Sequence, residues 1–203
     1  ANTFGASAHK LAGSAYTLEQ VITAGIENCK RACAPYGALT ALDVGPLGEL
    51  LEPSGTLAFE DAVAEYARIV KAGEAAGADL IFFETYTDLY ELKAALLAAK
   101  ENTHLPILAS MSFEAGGRTF TGCTVESFAA TARGLGADAV GINCSLGPKE
   151  IFPMAKRLAE AVPGNFPVFV KPNAGLPRAD GSGYDITPQL FALQMKPYRE
   201  LHL

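Results

Sequence analysis

Three side chains that could do chemistry each stand at the end of a short apolar segment. Cys144 ends A-D-A-V-G-I-N-C and precedes a turn, S-L-G-P, that should open a helix. A helix N-terminus favours the thiolate form of a nearby cysteine. Glu84 ends A-D-L-I-F-F-E and could hold a substrate ammonium, because an uncompensated buried acid is costly. Lys171 ends P-V-F-V-K and could form a Schiff base in a dry site.

Each of these residues also has a plainer interpretation. Cys144 could be a small buried side chain, as free cysteines usually are. Glu84 could form an ion pair at the rim of the fold, and Lys171 could be a solvated lysine. Position alone leaves both interpretations open for all three residues.

More polar residues end segments of the same kind, namely Asp43, Ser112, Asn143 and Asn173. In a parallel sheet the carboxyl ends of the strands lie at one edge, and α/β proteins carry their sites there. The sequence therefore predicts one ring of polar side chains around Cys144, Glu84 and Lys171.

The other three cysteines lie outside this ring. Cys29 and Cys33 are four residues apart on one predicted helix and could share a metal, but a packed helix face is the favoured interpretation. Cys123 lies in T-F-T-G-C-T, a hairpin-like excursion, and we interpret it as structural. The sequence has no C-x-x-C pair, no H-E-x-x-H and no Gly-rich phosphate-binding motif.

The elements that must position these residues alternate along the chain. The predicted strands are continuous apolar segments bounded by Gly, Pro or Asp, as in strands buried on both faces of a parallel sheet. They cover residues 38–44, 78–85, 106–113, 137–144 and 167–172, with A-N-T-F at residues 1–4 as a candidate sixth. Amphipathic, mostly Ala-rich helices are predicted at about 17–34, 59–70, 89–99, 125–135, 148–162 and 187–201.

This alternation predicts an α/β fold with five to six parallel strands in a single domain over residues 1–203. An open doubly wound sheet is one candidate, and an incomplete (β/α)8 TIM barrel is the other; a closed barrel typically takes ~250 residues. The first residues are predicted to end a strand, and no strand is predicted after the last helix, so we expect a barrel that lacks its first and last strands.

Composition narrows the function classes. The 203 residues are 49% hydrophobic and carry a formal net charge of -6. This acidic balance argues against nucleic-acid binding, which needs clustered Lys and Arg. No apolar segment approaches the ~20 residues that span a bilayer, and no signal peptide is visible. We expect a cytoplasmic protein with reduced thiols.

Five motifs, read in order, resemble the homocysteine S-methyltransferase domain found at the N-terminus of cobalamin-dependent methionine synthase. They are N-T-F-G-A-S, A-D-L-I-F-F-E-T, G-G-R-T-F-T-G-C-T-V-E-S-F, G-I-N-C-S-L-G-P and K-P-N-A-G-L-P. The resemblance covers essentially the whole chain. It implies a (β/α)8 barrel that binds zinc through three cysteine thiolates and activates homocysteine as a methyl acceptor. The donor in the large synthases is methylcobalamin on another domain, and related enzymes use a methylated corrinoid protein, S-methylmethionine or betaine.

The resemblance also implies roles for individual residues. Cys144 matches the first zinc cysteine of the family, and Glu84 matches the acid that holds the homocysteine amino group. Asn143 and Asn2 match positions that line the pocket, and Asn173 belongs to the P-N-A-G motif, which shapes a loop.

The sequence departs from the family pattern at the metal site. The other two zinc ligands of the family are adjacent cysteines in a Gly-Gly-Cys-Cys-Gly motif, and this sequence has no Cys-Cys pair. We therefore expect zinc to bind weakly or not at all here, the chain to be inactive alone and its sheet edges to favour self-association. The alternatives are a non-catalytic binding or assembly remnant of the barrel and, third, a Schiff-base lyase that uses Lys171.

Overall fold

The computed structural model describes residues 1–175, 177, 178, 181–201 and 203. The helices are α1 (Leu18–Cys33), α2 (Phe59–Ala75), α3 (Leu89–Asn102), α4 (Val125–Gly134), α5 (Pro148–Glu160) and α6 (Pro188–Met195), with short 3-10 turns at Ala34–Tyr36 and Lys196–Leu201. The strands are β1 (Ala41–Val44), β2 (Leu80–Tyr86), β3 (Ile107–Met111), β4 (Ala139–Asn143) and β5 (Val168–Lys171). All five clear predicted strands and all six predicted helices are therefore confirmed, with shifts of a few residues at their ends.

The five strands form one parallel sheet in the order β1-β2-β3-β4-β5, with a helix between each strand and the next. Each strand thus pairs with its neighbour in sequence, as in a (β/α)8 barrel and not as in a doubly wound sheet, where the order reverses. Every residue of β4 is buried, which explains its unbroken apolar sequence.

The predicted sixth strand at residues 1–4 is wrong for this segment, because the structure assigns no strand there. Residues 1–4 instead lie beside the end of β1 and are joined to it by hydrogen bonds, two of which involve a side chain. The Thr3 hydroxyl donates to the Asp43 carbonyl oxygen at 2.7 Å and accepts from the Asp43 N–H at 3.0 Å. The Gly45 N–H donates to the Phe4 carbonyl oxygen at 3.3 Å. A threonine hydroxyl thus satisfies backbone groups that a strand ladder would otherwise pair.

Helix caps and amphipathic faces explain where the helices form. Thr17 caps α1 in a reciprocal box with Gln20, and Asp88 caps α3 through the N–H of Tyr90. The buried face of α3 is rich in alanine, which lets it pack closely against the sheet and α2. Along the part of the chain that the structure describes, no helix is long and apolar enough to cross a membrane.

The β5 end of the sheet is less covered than the rest. Its residues are only half-buried or exposed, and α6 buries none of its own described residues. A cavity of about 370 Å³ lies between β5 and the C-terminal residues Met195 and Tyr198. The self-association predicted from exposed sheet edges remains a prediction.

Candidate active site at the carboxyl ends of the strands

The predicted ring of polar side chains is present at one edge of the sheet. The register pairs Asp43 of β1 with Phe82 of β2, and Asn143 of β4 with Lys171 of β5. Ser112, just beyond β3, donates its hydroxyl to the carbonyl oxygen of Asn143 at 2.8 Å. The parallel order of the strands therefore brings residues from across the sheet to one rim.

Asn143 links three neighbouring strands through its side-chain amide. Its Oδ1 accepts from the Thr85 N–H at 3.0 Å and from the Ser110 hydroxyl at 2.8 Å, and its Nδ2 donates to the Thr85 hydroxyl at 2.7 Å. Asn143 is 5% exposed, so these bonds satisfy groups that water does not reach. Three of the four hydrogen-bonding positions of its side-chain amide are thus used by described residues.

The backbone at this rim adopts conformations that residues other than glycine rarely adopt. Thr85 has a φ of 68°, Cys144 of 63° and Ser145 of 59°, and these are the three positive-φ non-glycine residues found in the described chain. Such conformations cost about 1–3 kcal/mol each and cluster at functional sites. Their concentration at the ends of β2 and β4 supports a functional rim.

The turn after β4 positions the Cys144 thiol. The backbone N–H of Cys144 donates to the Lys171 carbonyl oxygen at 3.1 Å, and the Cys144 carbonyl oxygen accepts from the Leu146 N–H at 2.7 Å. The thiol is half-buried, and the Asn173 side-chain amide lies 3.9 Å from Sγ. Beside this turn is a cavity of about 400 Å³, whose lining includes Ser145 and Ile186.

Glu84 and Lys171 form an ion pair on the same rim, as the plainer interpretation of Glu84 predicts. The Glu84 side chain is 16% exposed and the Lys171 side chain is 52% exposed. The Lys171 Nζ also lies 4.6 Å from the centre of the Phe82 ring, a cation–π contact. Phe169 packs edge-on against Phe82, and Gly141 makes room for it, since a Cβ there would lie 2.4 Å from the Phe169 ring. An aromatic floor thus supports the charged pair.

Asp43 places a second carboxyl beside Glu84. Burial, first, and the negative charge of Glu84, second, raise the pKa of Asp43 to about 6, while the positive charges of the amino terminus and Lys171 oppose this rise only in part. The Asp43 Oδ1 is buried and has no hydrogen-bond partner among the residues that the structure describes. Two carboxyls therefore face one alkylammonium at this rim.

Replacing Asp43 with Asn should stabilise the fold at pH 8 and have no effect near pH 4. Because the folded-state pKa of about 6 exceeds the ordinary 3.8, the folded state binds the proton more tightly, and its stability falls as pH rises from about 4 to 6. The full pKa shift corresponds to a loss of about 3 kcal/mol in the free energy of unfolding, and the partial exposure of Asp43 reduces this loss to about 1 kcal/mol. Urea unfolding from pH 4 to pH 8 measures it.

The exposed Glu52, which lies outside the helices, provides the control. Glu52→Gln should leave the difference between pH 4 and pH 8 as it is in the wild-type chain. A pH dependence of the Asp43→Asn variant equal to the wild type would contradict the assigned role of the Asp43 carboxyl.

Comparison with known sequences identifies the family of this chain. The profile of the homocysteine S-methyltransferase family matches residues 1–202. The chain belongs to that family. Relatives of this homocysteine S-methyltransferase chain include the methionine synthases of Mycobacterium tuberculosis (strain ATCC 25618 / H37Rv) and Mycobacterium leprae (strain TN), which are 35% and 34% identical over 123 residues. Each match covers 57% of this chain and 10% of the relative, so the chain spans a small part of these proteins.

Solved structures agree on the fold. The metallated form of the homocysteine methyltransferase MmuM from Escherichia coli has a TM-score of 0.74 and 22% identity, over 94% of this chain and 69% of that chain. The apo form of MmuM has a TM-score of 0.67 and 23% identity, over 86% and 65%. The likeness identifies the five-stranded sheet as the TIM-barrel arrangement of this family.

The zinc chemistry of the family can be tested against the donors of this chain. Within the described residues no cluster of three or more His, Cys, Asp or Glu side chains could hold a metal. Cys144 brings one sulfur to the rim, whereas Cys123 lies elsewhere, its thiol donating to the Thr124 carbonyl oxygen at 3.2 Å and its pKa raised to about 11 by burial. A structural or catalytic zinc takes three or four protein ligands. The described donors therefore do not fit a zinc site by themselves.

The structure places the other two predicted site residues, Asn2 and Asn173, in different parts of the protein. Asn2 is exposed and lines a cavity of about 670 Å³ against α1, with Tyr16 and Gln20. Asn173 lies beside the rim turn, where its N–H donates to the Leu146 carbonyl oxygen at 3.0 Å, in keeping with a loop-shaping role. The structure thus brings Asn173 to Cys144 and places Asn2 next to α1.

The sequence interpretation missed Thr85 and Ser110, the two residues that hold Asn143. Ser110 is 0% exposed within an otherwise apolar strand, and that interruption was the available signal. Lys171, the candidate for a Schiff base, is held by Glu84 as an ammonium, whereas Schiff-base formation needs a free amine.

Proposed function

We propose that residues 1–203 form the barrel domain of a cytoplasmic homocysteine S-methyltransferase. Homocysteine binds at the carboxyl rim of the strands and its sulfur accepts a methyl group. The donor is methylcobalamin carried on another domain or on a corrinoid protein. Family membership supports the reaction class, and the rim residues support the mode of binding.

One observation carries this proposal: Lys171 touches both ends of the predicted substrate site. Its Nζ pairs with Glu84, and its carbonyl oxygen accepts from the Cys144 N–H. The Lys171 side chain therefore behaves as an internal stand-in for a substrate alkylammonium. A homocysteine ammonium that takes its place on Glu84 leaves the substrate sulfur free to reach toward Cys144.

The surrounding residues orient these two ends. Ser112 and Asn143 fix the end of β4 that presents Cys144, and the nearby Asp43 carboxyl offers a second acceptor for the ammonium. We assign Cys144 as one sulfur ligand of the zinc that the family uses. The described donors do not complete a zinc site by themselves.

Mixed-disulfide formation tests this binding mode without metal or methyl donor. Homocystine, the disulfide of homocysteine, should exchange with the Cys144 thiol, which forms a Cys144–homocysteine disulfide and releases one homocysteine. Binding of the ammonium to Glu84 should make this reaction about tenfold faster than with dithiodibutyrate, which lacks the amino groups. Mass spectrometry of the labelled peptides measures the rate at each cysteine.

Cys123 and Glu84→Gln provide the controls for this experiment. Cys123 lies beside Asp88 in a different cavity, so its rates with the two disulfides should be the same in the wild-type chain and in the Glu84→Gln variant. The preference at Cys144 should disappear in the Glu84→Gln variant. Equal labelling rates with both disulfides in the wild-type chain would refute the proposed orientation of homocysteine.

A further inference from the structure

Two thiols lie together in the last turn of α1, away from the rim. The Sγ atoms of Cys29 and Cys33 are 3.9 Å apart, and both side chains are half-buried. Neither belongs to the hydrophobic core, so the packed helix face expected from the sequence does not account for them. The pair therefore forms an accessible dithiol.

The geometry of this dithiol favours a bridging ion over a disulfide. Residues four apart on a helix have Cβ atoms about 5–6 Å apart, whereas a disulfide needs about 3.5–4.5 Å. An ion with metal–sulfur bonds of about 2.3 Å and a tetrahedral angle holds its two sulfurs ~3.8 Å apart. The observed distance of 3.9 Å between the two Sγ atoms matches this sulfur–sulfur distance without a change in the helix.

The surroundings favour the thiolate form of Cys29. Partial burial opposes its ionisation, but hydrogen bonds from the Thr40 hydroxyl and the Cys33 thiol, together with the positively charged amino terminus, outweigh it and lower the pKa of Cys29. A bound cation competes with the Ala1 ammonium for this thiolate, and the carbonyl end of α1 at Cys33 stabilises the charge of the cation. Two thiolates neutralise a divalent ion, and its binding releases two protons.

We propose that Cys29 and Cys33 form a two-thiolate site for a soft divalent cation, with fewer protein ligands than the three or four that a structural or catalytic zinc takes. Cys29 also lines the cavity of about 670 Å³ beside α1, together with Asn28 and Gln20. Water or an external ligand in this cavity completes the coordination of the ion. The site is independent of the proposed methyltransferase function, since it shares no residue with the rim.

Titration of the reduced chain with Cd²⁺ tests this site, because cadmium–thiolate bonds absorb in the ultraviolet. The Cys144→Ser variant is the background, which removes the candidate rim ligand. It should bind one Cd²⁺ with a saturable charge-transfer band and release two protons. Adding Cys29→Ser or Cys33→Ser should weaken binding at least about tenfold, because the second thiolate then no longer acts within the same chelate.

A relocated thiol provides a matched control. The double change Arg31→Cys with Cys33→Ser keeps the number of thiols but places them two residues apart, on different helix faces. It should bind as weakly as Cys33→Ser, while Cys123→Ser should bind as the background does. Absence of a saturable band in the folded background, or an unchanged band after Cys29→Ser, would overturn the proposal.

Discussion

Glu84→Gln should weaken homocysteine binding by about tenfold to a hundredfold. A hydrogen bond to a charged group is worth about 1.5–3 kcal/mol. Glu84 is less exposed than Lys171, its partner in the ion pair at this rim. Glutamine has nearly the same shape but carries no charge, so it keeps the packing and loses the attraction for the substrate ammonium. Titration calorimetry with homocysteine measures the change.

Lys171→Met should have the opposite effect and strengthen homocysteine binding. In the ligand-free protein the Lys171 ammonium occupies the Glu84 carboxylate, so a substrate ammonium must displace it. Methionine keeps an apolar stem over the Phe82 ring and removes this competitor. If both variants weakened binding equally, the ion pair would be part of the substrate site and not its competitor.

The order of the elements and the position of the rim could be predicted from the sequence. The apolar segments ending at Glu84, Asn143 and Lys171 follow directly from the burial of parallel strands on both faces. Polar residues at their carboxyl ends must then share one edge. The periodicity of the sequence and the Gly and Pro residues at segment ends were sufficient for this step.

The periodicity of the sequence does not predict which side chains bond to each other across the sheet. The bonds from Asn143 to Thr85 and Ser110 depend on the register between β2, β3 and β4, which short apolar strands do not specify. The left-handed backbone of Thr85 has no signature either, because threonine rarely adopts it. The motif resemblance assigns Asn2 to the pocket, and the structure places it in a cavity beside α1, so its role stays a prediction.

Asn143→Ala should lower the free energy of unfolding by about 3 kcal/mol. The substitution removes three hydrogen bonds and leaves the Thr85 N–H and hydroxyl without their Asn143 partner, while the Ser110 hydroxyl keeps the longer bond to the Phe83 carbonyl oxygen at 3.5 Å. An unsatisfied buried polar group costs about 1–3 kcal/mol, and water that enters the vacated space recovers part of the total. Urea unfolding followed by circular dichroism measures it, with an unchanged dependence on urea showing that the same surface unfolds.

Asn102→Ala is the matched control, because it removes the same amide from the end of a helix. The Asn102 amide donates only to the Ala98 carbonyl oxygen, at 2.7 Å, on a partly exposed surface, so its loss should cost about 0.5 kcal/mol. Asn143→Ala should also weaken homocysteine binding, since Asn143 holds the Thr85 backbone immediately after Glu84. Equal destabilisation by the two variants would mean that Asn143 does not join the strands, and that the rim is held by the backbone ladder alone.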